Sequence, residues 1–190
     1  HIGSGASLCA MHHLQSVGTT MGFSSLDGVM MGTRCGALDP GAVIYLMEIQ
    51  KLSLEEVGHM LYHRSGLLGI SGLSADTMDL LPVEHDNPRA RLALAVYVRS
   101  IAKQIATMAT TLGGIDLLVF TAGVGEHNAT IRERVCAELE WLGARLDPEA
   151  NARHASVISA PESGFTIAVE PTNEEWVAAQ RSHELLGFTE

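Results

Sequence analysis

The stretch LLVFTAGVGEHNATIRER, residues 117–134, joins an apolar block to a glycine-spaced turn and then to a polar, helix-favouring segment. Leu117 to Phe120 predict a buried strand covered on both faces, because such a strand needs no alternation of polar and apolar residues. Gly123 and Gly125 permit positive φ and leave room for a close approach to the backbone. Asn128 predicts the N-cap of a helix that starts at the next residue.

Two interpretations of this turn remain open from the residues alone. A strand, a glycine turn and a helix N-terminus together make a seat for an anion or a nucleotide, whereas many α/β proteins use such a turn only to reverse the chain. Dinucleotide binding is disfavoured, because GVGEHN lacks the third glycine of G-x-G-x-x-G. That motif also needs a strand ending in an acid about 20 residues on, and CAELEWLGARLD, residues 136–147, predicts a helix there.

Composition restricts the class of protein. The 190 residues, of which 46% are hydrophobic, form one substantial domain or two small ones with a proper core. Acidic residues outnumber basic ones by 22 to 12 without a basic stripe, which argues against nucleic acid as a partner. No apolar run approaches the roughly 20 residues of a membrane span and no leader precedes the first segment, so we expect a soluble, cytoplasmic protein and no membrane partner.

Cysteines and the first residue give two further expectations. Cys9, Cys35 and Cys136 are far apart and form no C-x-x-C pair, which argues against a disulfide framework and a zinc site. His1 is followed at once by a strand-like segment with no initiator Met, so the chain is expected to be part of something longer.

The first third of the chain predicts a strand pair and two helices. SGASLCAM and SVGTTMGF, on either side of a turn at His12-His13, predict antiparallel strands. Asp39 as N-cap and Pro40 at the first position predict a helix start. Ser53 and Glu56 have capping-box spacing and predict a second helix, with Gly66 near its end.

The rest of the chain predicts a central helix, a strand and a last helix. Apolar residues lie round much of the surface of residues 88–112, so we expect a well-covered helix that stops at Gly113-Gly114. FTIAVEP, residues 165–171, predicts a strand, and NEEWVAAQRSHELLG, residues 173–187, predicts the last helix. The pattern is that of an α/β layer fold with one core.

Four separated segments resemble, in order and spacing, the acetate kinase family, which includes propionate kinases. They are HIGSGAS (1–7), TTMGFSSLDGVMMGTRCGALDPG (19–41), FTAGVGEHNATIRE (120–133) and EPTNEEW (170–176). The resemblance spans essentially all 190 residues and corresponds to the C-terminal half of such enzymes. It implies an α/β, actin-like or sugar-kinase-like ATPase domain, a mixed sheet with flanking helices. Residues 1–190 are then the C-terminal nucleotide-binding domain, with the N-terminal domain absent from this chain.

The resemblance also implies an activity and its partners. We expect reversible, direct in-line phosphoryl transfer from ATP to acetate, or to another short-chain carboxylate such as propionate, giving acyl phosphate and ADP with Mg²⁺. The implied assembly is a homodimer. A non-catalytic dimerisation or nucleotide-sensing domain is the alternative. Because half of a two-domain clamp lacks the contacts that closure brings, the isolated chain is expected to be inactive.

The resemblance assigns roles to individual residues. Arg34 is implied to bind the acyl and phosphoryl groups, which suits a planar cation with a fork of donors, although a lone arginine is ordinarily a surface residue. Glu174 is implied to lie at the magnesium site, although a first-turn helix acid is the ordinary alternative. The implied nucleotide-binding residues are His1, Ile2, Gly3, Ser4, Gly5, Asp76, Thr77, Met78, Gly123, Val124, Gly125, Glu126 and His127.

The chain departs from the family pattern at several positions. Met78 stands where an arginine is usual, Ser4 and His127 stand where asparagines are usual, and Ser25 takes the place of a proline that lines the acyl pocket. Gly18 and Ala37 each replace a usual aspartate. Base selectivity and acyl-chain preference are therefore left open.

Overall fold

The computed structural model describes residues 1–187 as helices packed with two short sheets, which confirms the predicted α/β class. The strands form two separate pairs, one antiparallel and one parallel, so the expected mixture of strand directions is divided between two sheets. Within residues 1–187, no helix is both long and apolar enough to span a membrane.

The antiparallel pair is the predicted hairpin. Strand β1 (Cys9–His12) pairs with β2 (Gln15–Thr19), and a bulge lies between Ala10 and Met11. The turn residues His13 and Leu14 have φ of 50° and 62°. Positive φ at both central residues suits the right-handed twist of a two-residue hairpin. The predicted hairpin is confirmed, but its turn lies at His13-Leu14, one residue after the predicted His12-His13, because His12 still pairs with Gln15 in the sheet.

Helices α1 (Pro40–Glu48) and α2 (Leu54–His63) begin where the sequence predicts. The Asp39 side chain accepts from the Gly41 N–H, and Ser53 and Glu56 form the reciprocal capping box. The predicted end of α2 near Gly66 is wrong. Gly66 instead begins α3 (Gly66–Ser71) with φ of 62°, because a Cβ there would lie 2.1 Å from a carbonyl oxygen of the chain packed against it.

The central helix is α5 (Pro88–Leu112), which follows the single turn of α4 (Thr77–Leu80). Asn87 caps α5. The left-handed Gly113 ends it, as predicted. The expected coverage round most of its surface is wrong, since Leu92 is 55% exposed. A single stripe is buried, because helical spacing directs every third or fourth residue to one side, and it consists of Ala90, Ala93, Leu94, Tyr97, Val98, Ile101, Ala102, Ile105 and Ala109.

The predicted strands in the second half are confirmed as a parallel pair, β3 (Leu117–Phe120) with β4 (Thr166–Val169). The expectation that β3 is covered on both faces is wrong. Phe120 packs in the core, but Leu117 and Val119 are 54% and 38% exposed, so side chains alternate between the two faces.

The chain after β3 forms short helices, α6 (Ala122–His127), α7 (Ala129–Ala137) and α8 (Pro148–Ala152), and ends in α9 (Glu174–Leu185) as predicted. The single helix predicted over 136–147 is wrong. After α7 only a 3₁₀ turn over 140–142 continues, and the left-handed Gly143 then redirects the chain.

Candidate active site

A cavity of about 600 Å³ gathers all four segments that were separated in the sequence. It lies between the first turn of the chain, residues 21–34, the beginning of α6 and the beginning of α9. Its walls are formed by His1, Gly3, Ser4, Gly5, Ala6, Ser7, Met21, Ser24, Ser25, Asp27, Met31, Arg34, Ala122, Gly123, Glu126, Thr172, Asn173, Glu174 and Glu175.

Ile2 fixes the first turn to the glycine segment. Its N–H donates to the Thr121 carbonyl at 2.9 Å, and its carbonyl accepts from Val124 at 2.8 Å and Gly125 at 3.1 Å. The Ile2 side chain is buried, and the turn beyond it is closed by the Gly3 N–H on the Gly5 carbonyl at 2.9 Å. The wall therefore combines two glycine-containing backbones that were 120 residues apart in the sequence.

The conformation of the glycine segment differs from the expectation. Neither Gly123 nor Gly125 has a positive φ, and Ala122 adopts it instead at 66°. The Ala122 N–H is held by the Glu126 carboxylate at 2.8 Å and by the Thr172 hydroxyl at 3.1 Å, which stabilises this uncommon conformation. Gly123 has no atom within 4 Å of where a Cβ would lie, so its backbone is open to a close approach from the cavity.

Asn128 caps α7 as predicted but does not open onto the cavity. Its side-chain oxygen accepts from the Ile131 N–H at 3.1 Å, while its amide group donates to the Thr77 hydroxyl at 3.2 Å. Both Asn128 and Thr77 are buried. The Asn128 side chain therefore packs against Thr77 at the start of α4 and lies outside the cavity lining, and binding of an anion or nucleotide at the glycine turn before it stays a prediction.

The loop that carries Arg34 is hydrogen-bonded to the beginning of α3 and to the residue before it. Its Met31 carbonyl accepts from the Leu67 N–H at 3.0 Å, and its Thr33 carbonyl accepts from the Ser65 N–H at 2.9 Å. The close approach at Gly66 is to this same Met31 carbonyl. A glycine outside the cavity thus sets the path of a cavity loop.

Arg34 lies on the cavity with most of its donors unused. Its Nη1 donates to the Ser25 carbonyl at 3.4 Å, and Met31 Sδ lies 3.7 Å away. No carboxylate within residues 1–187 forms an ion pair with it. Because a guanidinium has five N–H donors in a fixed fork, it can still bind a carboxylate or phosphate group with two parallel bonds.

The beginning of α9 brings carboxylates to the opposite wall. Asn173 caps the helix by accepting from Trp176 at 2.9 Å, and Glu174 and Glu175 occupy its first turn. Glu174 Oε1 lies 3.5 Å from His1 Nε2, and its side chain is 73% exposed. The described residues contain no group of three or more His, Cys, Asp or Glu side chains able to hold a metal alone. One or two carboxylates suffice for Mg²⁺ when substrate phosphates supply the other ligands, so these residues fit it.

The structure places the sequence-predicted residues in three groups. On the cavity wall are His1, Gly3, Ser4, Gly5, Arg34, Gly123, Glu126 and Glu174. Ile2, Val124 and Gly125 support that wall through backbone bonds. Asp76, Thr77, Met78 and His127 are outside the cavity lining: Asp76 caps α4, and Met78 is 63% exposed with its sulfur 3.6 Å from Asn128 Nδ2. Contact of this third group with adenine stays a prediction.

Several cavity residues were not found from the sequence. Asp27 lines the wall, and its carboxylate accepts from the Gly28 N–H at 2.7 Å. Gly28 has a φ of 90°, and a glycine directly after an aspartate was the sequence signal that could have indicated a turn here. Thr172 and Glu175 lie within the recognised segment EPTNEEW, but the resemblance assigned a role only to Glu174 there. Met21 and Met31 are ordinary apolar residues in the sequence, and only the fold brings them to the wall.

With this geometry defined, comparison with known proteins gives the family. The family model described as the acetokinase family matches residues 1–180. The chain belongs to the acetokinase family. This confirms the resemblance stated from the four sequence segments.

Curated relatives in the acetokinase family match about half of their own length. The chain is 50% identical over 182 residues to the acetate kinase of Rhodopseudomonas palustris strain TIE-1, covering 95% of this chain and 45% of that protein. It is 46% identical over 180 residues to the acetate kinase of Rickettsia akari, again covering 95% of this chain and 46% of the relative. The chain thus spans about half the length of the curated relatives it matches.

Solved acetokinase-family structures share the fold. The acetate kinase of Porphyromonas gingivalis superposes with a TM-score of 0.91 at 38% identity, covering 98% of this chain and 48% of that one. A propionate kinase of Francisella tularensis also gives 0.91, at 35% identity, with coverage of 95% and 47%. The α/β fold class expected from the resemblance is confirmed.

Proposed function

We propose that this chain is the C-terminal, nucleotide-binding half of an enzyme that transfers a phosphoryl group from ATP to a short-chain carboxylate. Acetate is the first candidate acceptor and propionate the second, and the products are acyl phosphate and ADP in a reversible, in-line reaction. The observation that carries this proposal is Arg34. Its guanidinium has no carboxylate partner within residues 1–187 and shares one cavity with the Gly3–Gly5 turn and Gly123.

Each wall of the cavity has a role in this proposal. Arg34 binds the acceptor carboxylate and the phosphoryl oxygens, because both are planar or trigonal anionic groups that match its fork of donors. The backbones at Gly3, Gly5 and Gly123 let the nucleotide lie close, since no Cβ stands between them and a phosphate or ribose. Phosphoryl transfer depends mainly on positioning and neutralisation of charge, and these residues supply both.

Glu174 is proposed to hold Mg²⁺ together with the phosphates of ATP. When bound, the ion neutralises charge on the transferring phosphoryl group. The 3.5 Å contact between Glu174 and His1 keeps the carboxylate on the wall beside the first turn. Glu175 follows it in the first turn of α9 and is the second available carboxylate.

The direct test uses the whole protein of which this chain is a part. We expect it to form acyl phosphate, trapped with hydroxylamine, when it is given ATP, Mg²⁺ and acetate or propionate. Butyrate completes the series, and the ratios of kcat/KM across the three give the acyl preference. ATP binding with no carboxylate-dependent turnover would contradict the proposal and favour the alternative, a nucleotide-sensing or dimerisation domain.

Two further expectations belong to this proposal. The isolated chain lacks the partner half of the clamp, so it is expected to form no acyl phosphate.

We also propose a homodimer. Helix α1 buries none of its residues, and its apolar side chains Ile44 and Tyr45 are 56% and 51% exposed, which suits a face that a second copy covers. Light scattering that gives a monomer mass at micromolar concentrations would contradict the dimer. The cytoplasmic location inferred from the sequence stays a prediction.

A further inference from the structure

Arg132 is a fully buried arginine that forms no ion pair with a carboxylate within residues 1–187. Burying a charge is costly unless hydrogen bonds replace its hydration. All three guanidinium nitrogens of Arg132 donate, and their five contacts lie between 2.8 and 3.0 Å. Such complete hydrogen bonding indicates that this side chain is held in one orientation.

Two of these bonds reach the end of α6. Arg132 Nη1 donates to the Gly125 carbonyl at 2.9 Å and to the Glu126 carbonyl at 2.8 Å. Carbonyls at a helix C-terminus lack partners within the helix and carry partial negative charge, so a guanidinium is well suited to cap them. Arg132 therefore fixes the far end of the same short helix whose near end forms the cavity wall at Ala122 and Gly123.

The other three bonds fix the guanidinium to α8 and the residues after it. Arg132 Nε donates to Asn151 Oδ1 at 2.8 Å, and Nη2 donates to the Asn151 carbonyl at 2.8 Å. Nη2 also lies 3.0 Å from His154 Nδ1. An arginine nitrogen only donates, so Nδ1 is the accepting atom in this contact. Asn151 is itself buried and donates to the Ala129 carbonyl at 2.9 Å.

Movement of Glu126 would disturb two cavity segments at once. Its carbonyl is held by Arg132, whereas its carboxylate holds the backbone N–H groups of Ala122 at 2.8 Å and Thr172 at 2.9 Å. A shift of the Glu126 backbone therefore moves both the Gly123 wall and the loop that leads to Glu174.

We infer that Arg132 is a positioning residue for nucleotide binding, acting through the carbonyls of Gly125 and Glu126 without touching the cavity. The inference rests on the proposed function, because it assigns Arg132 to the nucleotide wall of that same site. A lysine cannot replace it, since a single ammonium cannot reach acceptors that are spread round three guanidinium nitrogens.

The test compares Arg132→Lys with Arg134→Lys in the full-length protein. Arg134 lies on the same helix α7, but it donates to Glu84 and is outside the cavity lining. Arg132→Lys is expected to raise the KM for ATP and the Kd for Mg²⁺–ADP about tenfold, with a smaller change in kcat, because bonds from a charged donor are lost at the wall. Arg134→Lys is expected to leave both constants within about twofold, since surface ion pairs contribute little. Unchanged nucleotide constants in a folded Arg132→Lys protein would overturn the inference.

A second variant covers the case in which Arg132→Lys does not fold. Asn151→Ala keeps the charge but removes the acceptor that orients Nε, so it is expected to raise the same Kd about threefold at unchanged kcat. An Asn151→Ala protein with wild-type nucleotide constants would then overturn the inference. The binding measurement also separates this inference from the proposed function: wild-type protein that binds Mg²⁺–ADP without forming acyl phosphate contradicts only the latter. Wild-type protein that does neither overturns both.

Discussion

The carboxylate of Glu126 accepts a hydrogen bond from the backbone N–H of Thr172 at 2.9 Å, across 46 positions of the chain. The same oxygen accepts from Ala122 at 2.8 Å, and the side chain is only 14% exposed. A residue predicted from the sequence to contact nucleotide therefore uses its carboxylate to join the start of α6 to the segment before α9. This side chain joins two segments of the cavity wall, together with the bond from the Ala122 N–H to the Thr172 hydroxyl.

Replacement of Glu126 by alanine is expected to loosen both segments. Loss of two bonds to a partly buried carboxylate costs about 2–3 kcal/mol of the free energy of unfolding, and the KM for ATP is expected to rise. Glu126→Gln is the matched control, because an amide oxygen can accept the same two bonds. Urea unfolding and ATP kinetics on both variants check this. Equal losses for the two would mean that the negative charge matters, and not the two bonds.

A second prediction concerns acid stability and Glu84. The Arg134 guanidinium donates to this carboxylate through Nη1 at 2.8 Å and through Nη2, and it holds the pKa of Glu84 below its usual range. The folded state therefore binds the Glu84 proton less tightly than the unfolded chain does. The pair stabilises the fold above the unfolded pKa of about 4.3, and this contribution is lost as pH falls through the lower folded value.

Glu84→Gln tests that sign. Because both side chains are partly exposed, we expect a loss of about 0.5–1 kcal/mol at pH 7 that shrinks toward zero near pH 3. Urea unfolding of wild-type and variant protein across this range measures it. A double-mutant cycle with Arg134→Met isolates the pair from other effects of each substitution. A loss that grows toward acid pH would contradict the assignment.

The three cysteines are expected to react in a fixed order. Cys9 is exposed, Cys35 is half-buried, and Cys136 is buried in the core. Burial raises the pKa of Cys35, and it raises the pKa of Cys136 to about 12. At pH 8 the thiolate fraction of Cys136 is then on the order of 10⁻⁴, and only the thiolate is nucleophilic.

Alkylation by iodoacetamide at pH 8, followed by peptide mass measurement, checks this order. Cys9 is expected to be modified first and Cys136 only after addition of urea, which serves as the positive control for its reactivity. Early modification of Cys136 in the native protein would show that the packing of α7 against the core is looser than the structure describes.

Elements with local signals could be predicted from the sequence, and elements fixed by remote contacts could not. Helix α5 has Asn87 and Pro88 at its start and Gly113 at its end, so its bounds follow from neighbouring residues alone. Gly66 was misplaced because its left-handed conformation depends on the Met31 carbonyl, which belongs to a distant loop.

The site shows the same division. Arg34 and the Gly3–Gly5 turn belong to the segments TTMGFSSLDGVMMGTRCGALDPG and HIGSGAS, which could be recognised in the sequence, and both lie on the cavity. Arg132 follows an ordinary helical pattern, and its partner Asn151 is 19 positions away, so nothing local distinguishes it from a surface arginine. Ala122 was missed because steric preference favours its glycine neighbours for positive φ. Its conformation is instead stabilised by hydrogen bonds from its N–H to the Glu126 carboxylate and the Thr172 hydroxyl.

The last prediction concerns Arg34 in the full-length protein. If it binds the acceptor carboxylate and the phosphoryl group in flight, Arg34→Ala is expected to lower turnover about a hundred- to a thousand-fold, corresponding to about 3–4 kcal/mol of transition-state stabilisation. ATP affinity is expected to change little. Arg34→Lys is expected to recover little of the loss, because an ammonium keeps the charge but loses the two-pronged geometry.

Arg89 provides the matched control for a structural arginine. It donates to the Ile70 carbonyl at 3.0 Å, much as Arg34 donates to Ser25, but it lies outside the cavity lining. Arg89→Ala is therefore expected to lower the Tm with turnover nearly intact. Arg34→Ala is expected to lower turnover with the Tm nearly unchanged. Turnover, the KM for acetate, ATP binding and thermal stability are measured on both variants. A folded Arg34→Ala protein with near-wild-type turnover would remove this residue from the chemistry, and the proposed kinase activity would lose the observation on which it depends.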